Sequence, residues 1–234
     1  MSTAAVETRT SAGASDETIA RLGALPVAVI SDTMDQLGIP TAILDAAIAR
    51  RTGRRFAGRA RTIDRAPRPS NTSQAEVAPD LASAPQLLFD DAAPGDVVVM
   101  AIRGDTSVAC IGDNMGTRAM SRGVAGVVID GAMRDVDALH EMGLTVFARA
   151  TSPRSAAGRL VTFSLNRPIL CGGVRVCPGD VVVGDADGVV VVPAARAAEV
   201  AENAEKLEEK ELQSKSYIEA GNSLVEAVKK FKVK

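Results

Sequence analysis

Val124-Ala125-Gly126-Val127-Val128-Ile129-Asp130 is a short apolar run that reads as a buried strand, not as an amphipathic helix. Upstream, Val97-Val98-Val99-Met100-Ala101-Ile102 has the same character and follows the turn Pro94-Gly95-Asp96. Between the two, Asn114 to Arg122 predicts a helix, with Gly123 as its C′ residue. Downstream, Val136 to Met142 predicts a short helix and Thr145 to Arg149 a third strand. This alternation of strand and helix is the rhythm of an α/β domain with some parallel pairing.

Outward from this centre the pattern loosens. Residues 1–15 are small, polar and aperiodic, and are expected to be a flexible N-terminus. Asp16 begins a helix with Ile19, Leu22 and Leu25 on one face, and Pro26 interrupts it. Val27 to Leu37 predicts a second helical segment closed by Gly38, and Phe56 to Arg65 a strand. Residues 66–80 carry three prolines and read as a loop, followed by a short helix within Leu81 to Asp91. Past Val161 the chain turns to short strands at Val161–Leu165, Val174–Val176, Val181–Val183 and Val189–Val192. Pro178-Gly179-Asp180 and Asp185-Ala186-Asp187-Gly188 supply turns between them. Ala194 to Tyr217 predicts a charged surface helix, and the basic end KKFKVK is expected to be solvated or disordered. With no repeat and no linker, residues 16–217 are expected to form one domain and 218–234 a C-terminal tail.

Composition narrows the chemistry. The chain has 234 residues, 46% hydrophobic but only 3% aromatic, so Val, Ala, Leu and Ile must build the core. At this length roughly 70% of the unfolded surface is buried on folding. A net charge of -2 gives no electrostatic reason to expect nucleic acid as a partner. No apolar run approaches a membrane span and no secretory signal is visible, so no membrane partner is expected. Cys110, Cys171 and Cys177 lack metal-ligand spacing and suit reduced thiols in the cytoplasm. His140 is the only histidine, which excludes a zinc site built on several imidazoles within one chain. It is expected on a helix surface. Every lysine lies between Lys206 and Lys234, so Schiff-base chemistry in a desolvated pocket has no candidate in the first 205 residues. If the chain breaks carbon–carbon bonds, a metal is the electron sink these residues leave.

Two segments carry candidate chemistry. Ile111-Gly112-Asp113-Asn114-Met115-Gly116 enters a helix, whose first amides have no partners within the helix and suit a carboxylate. Asp113 could equally be a simple cap. Gly131-Ala132-Met133-Arg134-Asp135 follows a strand, and here Asp135 could cap the next helix while Arg134 is a surface charge. Neighbours on a strand point to opposite faces, so Arg134 and Asp135 can share a pocket only if the chain leaves the sheet, which Gly131 permits. Both segments fall at the carboxyl ends of α/β strands, where ligand crevices form.

Together, Asp113-x20-Arg134-Asp135 within GVAGVVIDGAMRDVDAL resembles the signature of the RraA-like family, and within it the metal-dependent 4-hydroxy-4-methyl-2-oxoglutarate aldolases. Ser31-Asp32-Thr33-Met34-Asp35-Gln36-Leu37-Gly38 is similar to the family's N-terminal helix, and Pro178 to Pro193 to its C-terminal hairpin, so the likeness spans roughly residues 20–215. The resemblance implies a single compact α/β domain of the swivelling β/β/α type with a C-terminal surface helix. It implies that the backbone of Gly112, Asp113, Asn114 and Met115 holds a substrate carboxylate and that Arg134 contacts the 2-oxo oxygen. Asp135 would be the direct protein ligand of Mg2+ or Mn2+, and Asp113 and Arg134 the catalytic pair.

The implied reaction is cleavage of 4-hydroxy-4-methyl-2-oxoglutarate to two pyruvates, with oxaloacetate decarboxylation through the same enolate. The implied assembly is a homotrimer or homohexamer with active sites between subunits, to which Glu208 or Glu211 of a neighbour's helix would contribute. Two alternatives stay open: a protein regulator of an endoribonuclease, and the same enolate chemistry on another 2-oxo acid such as 4-carboxy-4-hydroxy-2-oxoadipate. Methyl transfer has no support, because no Gly-x-Gly-x-x-Gly loop links a strand to a helix.

Overall fold

The valine-rich runs assemble side by side in one sheet. The computed structural model describes residues 13–40 and 42–233, so the expected flexible N-terminus lies outside the described residues up to position 12. The strands are β1 (Ala49–Thr52), β2 (Phe56–Pro67), β3 (Asp96–Ala101), β4 (Gly126–Met133), β5 (Val146–Thr151), β6 (Leu160–Leu165), β7 (Ile169–Cys171), β8 (Val174–Val176), β9 (Val181–Gly184) and β10 (Val189–Val192). The α-helices are α1 (Asp16–Ala24), α2 (Val27–Gln36), α3 (Gln74–Val77), α4 (Ala84–Asp90), α5 (Asp113–Ser121), α6 (Val136–Glu141), α7 (Ala197–Glu219) and α8 (Leu224–Phe231).

The sheet runs β1-β5-β4-β3-β2-β9-β10, with β6 added on β2. Strands β2, β3, β4 and β5 are parallel, as the strand–helix rhythm predicts. Strand β2 is long enough to pair twice along its far edge. Its first residues take β9 and its last take β6, both antiparallel, and the sheet curls around this junction.

Both faces of the sheet are covered, which is why the central strands read as continuous apolar runs. Val98, Met100, Val127 and Ile129 face the helices α4, α5 and α6, with Leu88, Phe89 and Leu139 packed on them. Val97, Val99, Val128 and Phe147 turn the other way, onto Phe56, Ile169, Cys171 and Val182. A third cluster joins Val181, Val183, Val190 and Val192 to α1, α2 and one face of α7. The period of two along Val181-Val182-Val183 therefore divides neighbouring residues between two cores.

Three expectations change. The strand from Phe56 continues to Pro67, and the loop expected at 66–80 holds α3 and a 3-10 turn at Pro79–Leu81. The signal was present in Ser73-x-x-Glu76: the Ser73 hydroxyl accepts from Glu76 N, and the Glu76 carboxylate accepts from Ser73 N at 2.6 Å, a reciprocal capping box. Short strands β1 and β7 were not anticipated, since three or four residues carry too little periodicity.

The basic end is not solvated coil over the described residues, because Leu224–Phe231 is α8. Ser223 caps it by accepting from Glu226 N at 3.1 Å. Ala227 is buried, and Phe231 sets its ring edge-on to Tyr217 of α7 at 5.7 Å. Ala227 and Phe231 turn toward α7 and Lys230 lies over the Tyr217 ring at 4.2 Å, while Leu224 and Val225 stay exposed.

Candidate active site

The four parallel strands end together, and the segments leaving them line one cavity of about 600 Å3. Arg65 and Arg68 come from the end of β2 and the turn after it, 109–115 from the connection after β3, Arg134 from the end of β4, and 155–158 from the connection after β5. Gly112, Asp113, Asn114, Met115 and Arg134 are thus brought to one wall system, as expected. This is the crevice at the carboxyl ends of parallel strands.

Backbone pairing sets the two key segments against each other. Cys110 N donates to Ala132 O at 2.9 Å, and Arg134 N donates to Ile111 O at 3.1 Å. Gly112 is the N-cap of α5, and Asp113 its first residue rather than its cap. Gly112 is extended, at φ -147°, so its glycine is not needed for backbone freedom. It is needed for space: a Cβ there would stand 2.4 Å from Asp135 Oδ2 and 2.8 Å from Arg134 Nε.

The departure of Arg134 and Asp135 from the sheet differs from expectation. Gly131 does not turn the chain away; β4 continues through Met133 and pairs with Thr151, after a register shift between Ile129 and Ala132. The turn comes at Asp135, which holds the left-handed conformation at φ 55°, ψ 41°. Aspartate tolerates this region better than most residues, at a cost of about 1 kcal/mol. It sits at the N-cap position of α6 yet makes no side-chain capping bond. Its Oδ2 instead accepts from Asp113 N at 3.0 Å and lies 3.4 Å from Arg134 Nε. The plain capping role is therefore excluded for Asp135, and Arg134 is a wall residue, not a free surface charge.

These contacts bind both halves of the motif into one unit. The Asp113 carboxylate accepts from Asn114 N at 2.7 Å, so two of the first amides of α5 already face carboxylate oxygens. Such amides, at the positive end of a helix, hold an anion well. Asp135 itself does not line the cavity; it touches Arg134 and Asp113, which do, and its side chain is 36% exposed. Among the described residues no three of His, Cys, Asp or Glu converge on a metal-binding cluster. A half-exposed hard-oxygen ligand beside the cavity fits Mg2+ or Mn2+, which keep several waters and need few protein ligands.

Other residues separate from the site. Glu208 and Glu211 lie on α7, which packs on α1 and α2, and neither lines the cavity. Burial raises the Glu211 carboxyl, with Glu208 and Asp32 adding repulsion and Lys215 opposing. His140 is exposed on α6. Asp185 serves structure, accepting from Val27 N and Asp187 N, both at 2.9 Å. Cys110 lines the cavity but is buried, which pushes its thiol up to about 12 and leaves it no nucleophile.

Sequence reasoning missed Arg65. It is 7% exposed, lines the cavity, and its Nε is buried without a hydrogen-bond partner. Within a stretch that reads only as a strand, nothing set this arginine apart from Arg59 or Arg61.

The sequence profile of the RraA-like family, described as Aldolase/RraA, matches residues 27–191, most of the chain and all of the cavity's motif. The chain belongs to the RraA-like family. Among solved structures, an uncharacterized protein of Pseudomonas syringae pv. tomato superposes with a TM-score of 0.78 at 29% identity, covering 92% of this chain and 98% of that one. Streptomyces coelicolor RraAS2, described as an unusual member of the RNase ES inhibitor RraA family, superposes at 0.77 with 28% identity over 90% and 99% of the two chains. A protein of Halalkalibacterium halodurans provisionally named 4-hydroxy-4-methyl-2-oxoglutarate aldolase is 41% identical over 116 residues, 50% of this chain and 55% of that protein. The match thus spans little more than half of that relative's length. The RraA-like fold therefore hosts an aldolase name and a ribonuclease-inhibitor name. Among the described residues no helix is long and apolar enough to cross a membrane.

Proposed function

We propose that this RraA-like protein is a divalent-metal-dependent pyruvate aldolase that cleaves 4-hydroxy-4-methyl-2-oxoglutarate to two pyruvates and decarboxylates oxaloacetate as a side activity. One observation carries the reading: the α5 N-terminus and Arg134 line one cavity, and Asp135, just outside its lining, is tied to both by the Asp113 N to Asp135 bond of 3.0 Å and by its 3.4 Å approach to Arg134 Nε. The aldolase name of the Halalkalibacterium relative supports the substrate class.

In this reading the substrate's C1 carboxylate lies on the backbone of Gly112 to Met115, at the positive end of α5. Its 2-oxo oxygen faces Arg134. A Mg2+ or Mn2+ ion held by Asp135 and by substrate and water oxygens would supply Lewis-acid polarisation of the 2-oxo group. Water held by the exposed Asp113 carboxylate takes the C4 hydroxyl proton. The C3–C4 bond then breaks, C4 becomes the carbonyl of one pyruvate, and the electron pair passes to C3 as the enolate of the other. The fixed guanidinium of Arg134 stabilises the charge that grows on the enolate oxygen, an interaction strongest in the transition state. Asp113 returns the proton through its water to C3. Decarboxylation of oxaloacetate yields the same enolate, with CO2 as the departing fragment. The reading includes a homotrimer or homohexamer, in which Glu208 or Glu211 of a neighbour would serve the site that their own chain's α7 does not reach.

A second reading, a regulator of an endoribonuclease, is favoured by the near-full-length likeness to RraAS2. One experiment separates them. Pyruvate release from 4-hydroxy-4-methyl-2-oxoglutarate, 4-carboxy-4-hydroxy-2-oxoadipate and oxaloacetate is followed with Mg2+ and with EDTA. Metal-dependent release supports the aldolase and names its substrate; no release on any of the three, with tight ribonuclease binding, overturns it.

A further inference from the structure

The cavity contains a buried cation that the proposed chemistry leaves without a task. Arg65 lines it, is 7% exposed, and has no hydrogen-bond or ion-pair partner for its side chain among the described residues. Arg61 on the same strand shares the buried Nε that makes no hydrogen bond, so the contrast lies in the rest of the guanidinium. Arg61 is equally buried, but its Nη1 donates to Asp91 O at 3.0 Å and lies 3.9 Å from Asp96 Oδ2. Among the described residues the one titratable neighbour that acts on Arg65 is Cys110, and burial keeps that thiol protonated, so it supplies no counter-charge.

A guanidinium stays charged in any protein, and burying it unpaired is costly. Such a group persists where a ligand completes it. Its planar fork matches a carboxylate with two parallel hydrogen bonds. The nearby polar side chain Gln74 is not a rival. Its Nε2 donates to Ala78 O and Thr162 O while its Oε1 accepts from Thr162 N at 2.7 Å, so it is a fixed wall. Arg68 also lines the cavity but is exposed, with Nη1 on Thr72 O at 3.1 Å.

We infer that Arg65 is a specificity residue that receives the distal carboxylate of the substrate, so that the cavity selects 2-oxo dicarboxylates over 2-oxo monocarboxylates. This rests on the proposed placement of the 2-oxo acid end at Arg134 and the α5 N-terminus. That end uses one carboxylate; the buried guanidinium takes the second.

The test measures binding of 2-oxoglutarate and 2-oxobutanoate by calorimetry, with Mg2+, to the wild type, Arg65→Gln and Arg65→Lys. The glutamine variant loses 2-oxoglutarate affinity on the order of 100-fold, while 2-oxobutanoate changes less than about threefold. The lysine variant regains part of the loss. Ligand-free Tm of Arg65→Gln holds or rises, since an unpaired buried charge has been removed, whereas a structural arginine would lower it. Equal losses for both ligands, unchanged 2-oxoglutarate binding, or a fall in ligand-free Tm overturns the assignment. Failure of the aldolase reading looks different: 2-oxoglutarate binding depends on Arg65, yet no 4-hydroxy-2-oxo acid and no oxaloacetate is turned over. If turnover occurs with the same kcat/KM in Arg65→Gln, the reaction stands and the subsite falls.

Discussion

Replacing Gly112 by alanine tests whether the two halves of the motif work as one unit. Alanine accepts the extended backbone at φ -147°, so no conformational strain follows. Its Cβ would meet Asp135 Oδ2 at 2.4 Å and Arg134 Nε at 2.8 Å, both well inside contact distance. These atoms are the ends of movable side chains, so the fold can yield by displacing them. The stability lost is then near that of the Asp113 N to Asp135 hydrogen bond, about 1–2 kcal/mol, below the usual range for a bond to a charged group because this one is solvent-exposed. For a domain of this length that is a Tm drop of roughly 2–8 °C. Activity should suffer far more, because displacing catalytic groups by about 1 Å costs on the order of 100-fold. Coupled pyruvate detection from oxaloacetate gives kcat/KM, and calorimetry gives Tm. The reasoning is refuted if the variant keeps kcat/KM within about threefold of wild type. It is equally refuted if activity falls only in proportion to unfolded protein.

Other outcomes follow from the same geometry. Arg134→Ala should lower kcat by roughly 100- to 1,000-fold with a smaller change in KM, because its charge opposes one that develops in the transition state; steady-state kinetics on oxaloacetate checks this. Asp135→Asn keeps an acceptor for Asp113 N but removes the anionic ligand, so Mg2+ binding by calorimetry and metal-stimulated turnover should both disappear while Tm stays within a few degrees. The buried Cys110 thiol, raised to about 12, makes the folded state hold a proton that the unfolded chain releases near pH 9. That stabilisation is complete below pH 9 and is lost as pH climbs toward 12, at about 1.4 kcal/mol per pH unit. Urea midpoints between pH 8 and 11 should fall accordingly, and less steeply in Cys110→Ala. Asp130 is buried against Arg149, which also pairs with Asp45 at 2.8 Å. Asp130→Ala should cost about 2–3 kcal/mol, seen as a lower Tm, because Arg149 retains only its exposed partner.

Much of the fold was legible along the chain. Val97–Ile102 and Val124–Asp130 were legible as strands, because they are short, valine-rich apolar runs bounded by turn residues and too short for a typical buried helix. The helix stops at Gly38 and Gly123 were legible for a local reason, a positive φ that glycine adopts freely. The candidate site was legible as a pattern: Asp113, Arg134 and Asp135 stood out through their spacing and resemblance, and the strand ends they follow are adjacent in the sheet. The short strands β1 and β7, the capping box at Ser73 and the packing of α8 escaped, since each depends on contacts that a few residues of sequence do not advertise.

What the chain alone determined was the set of local structures and the identity of the groups that could do chemistry, because periodicity and capping act over a few residues. The tertiary structure decided which of them meet. The left-handed turn at Asp135 sends its carboxylate to Asp113 N instead of its own helix, and that choice depends on Gly112 leaving room across the gap between two strands. Arg65 shows the same division: on β2 it is one more strand arginine, and only the assembly of four strand ends around a shared cavity leaves its charge buried and unanswered. Burial and pairing are properties of neighbours distant in sequence, so they are set by folding and not by spacing.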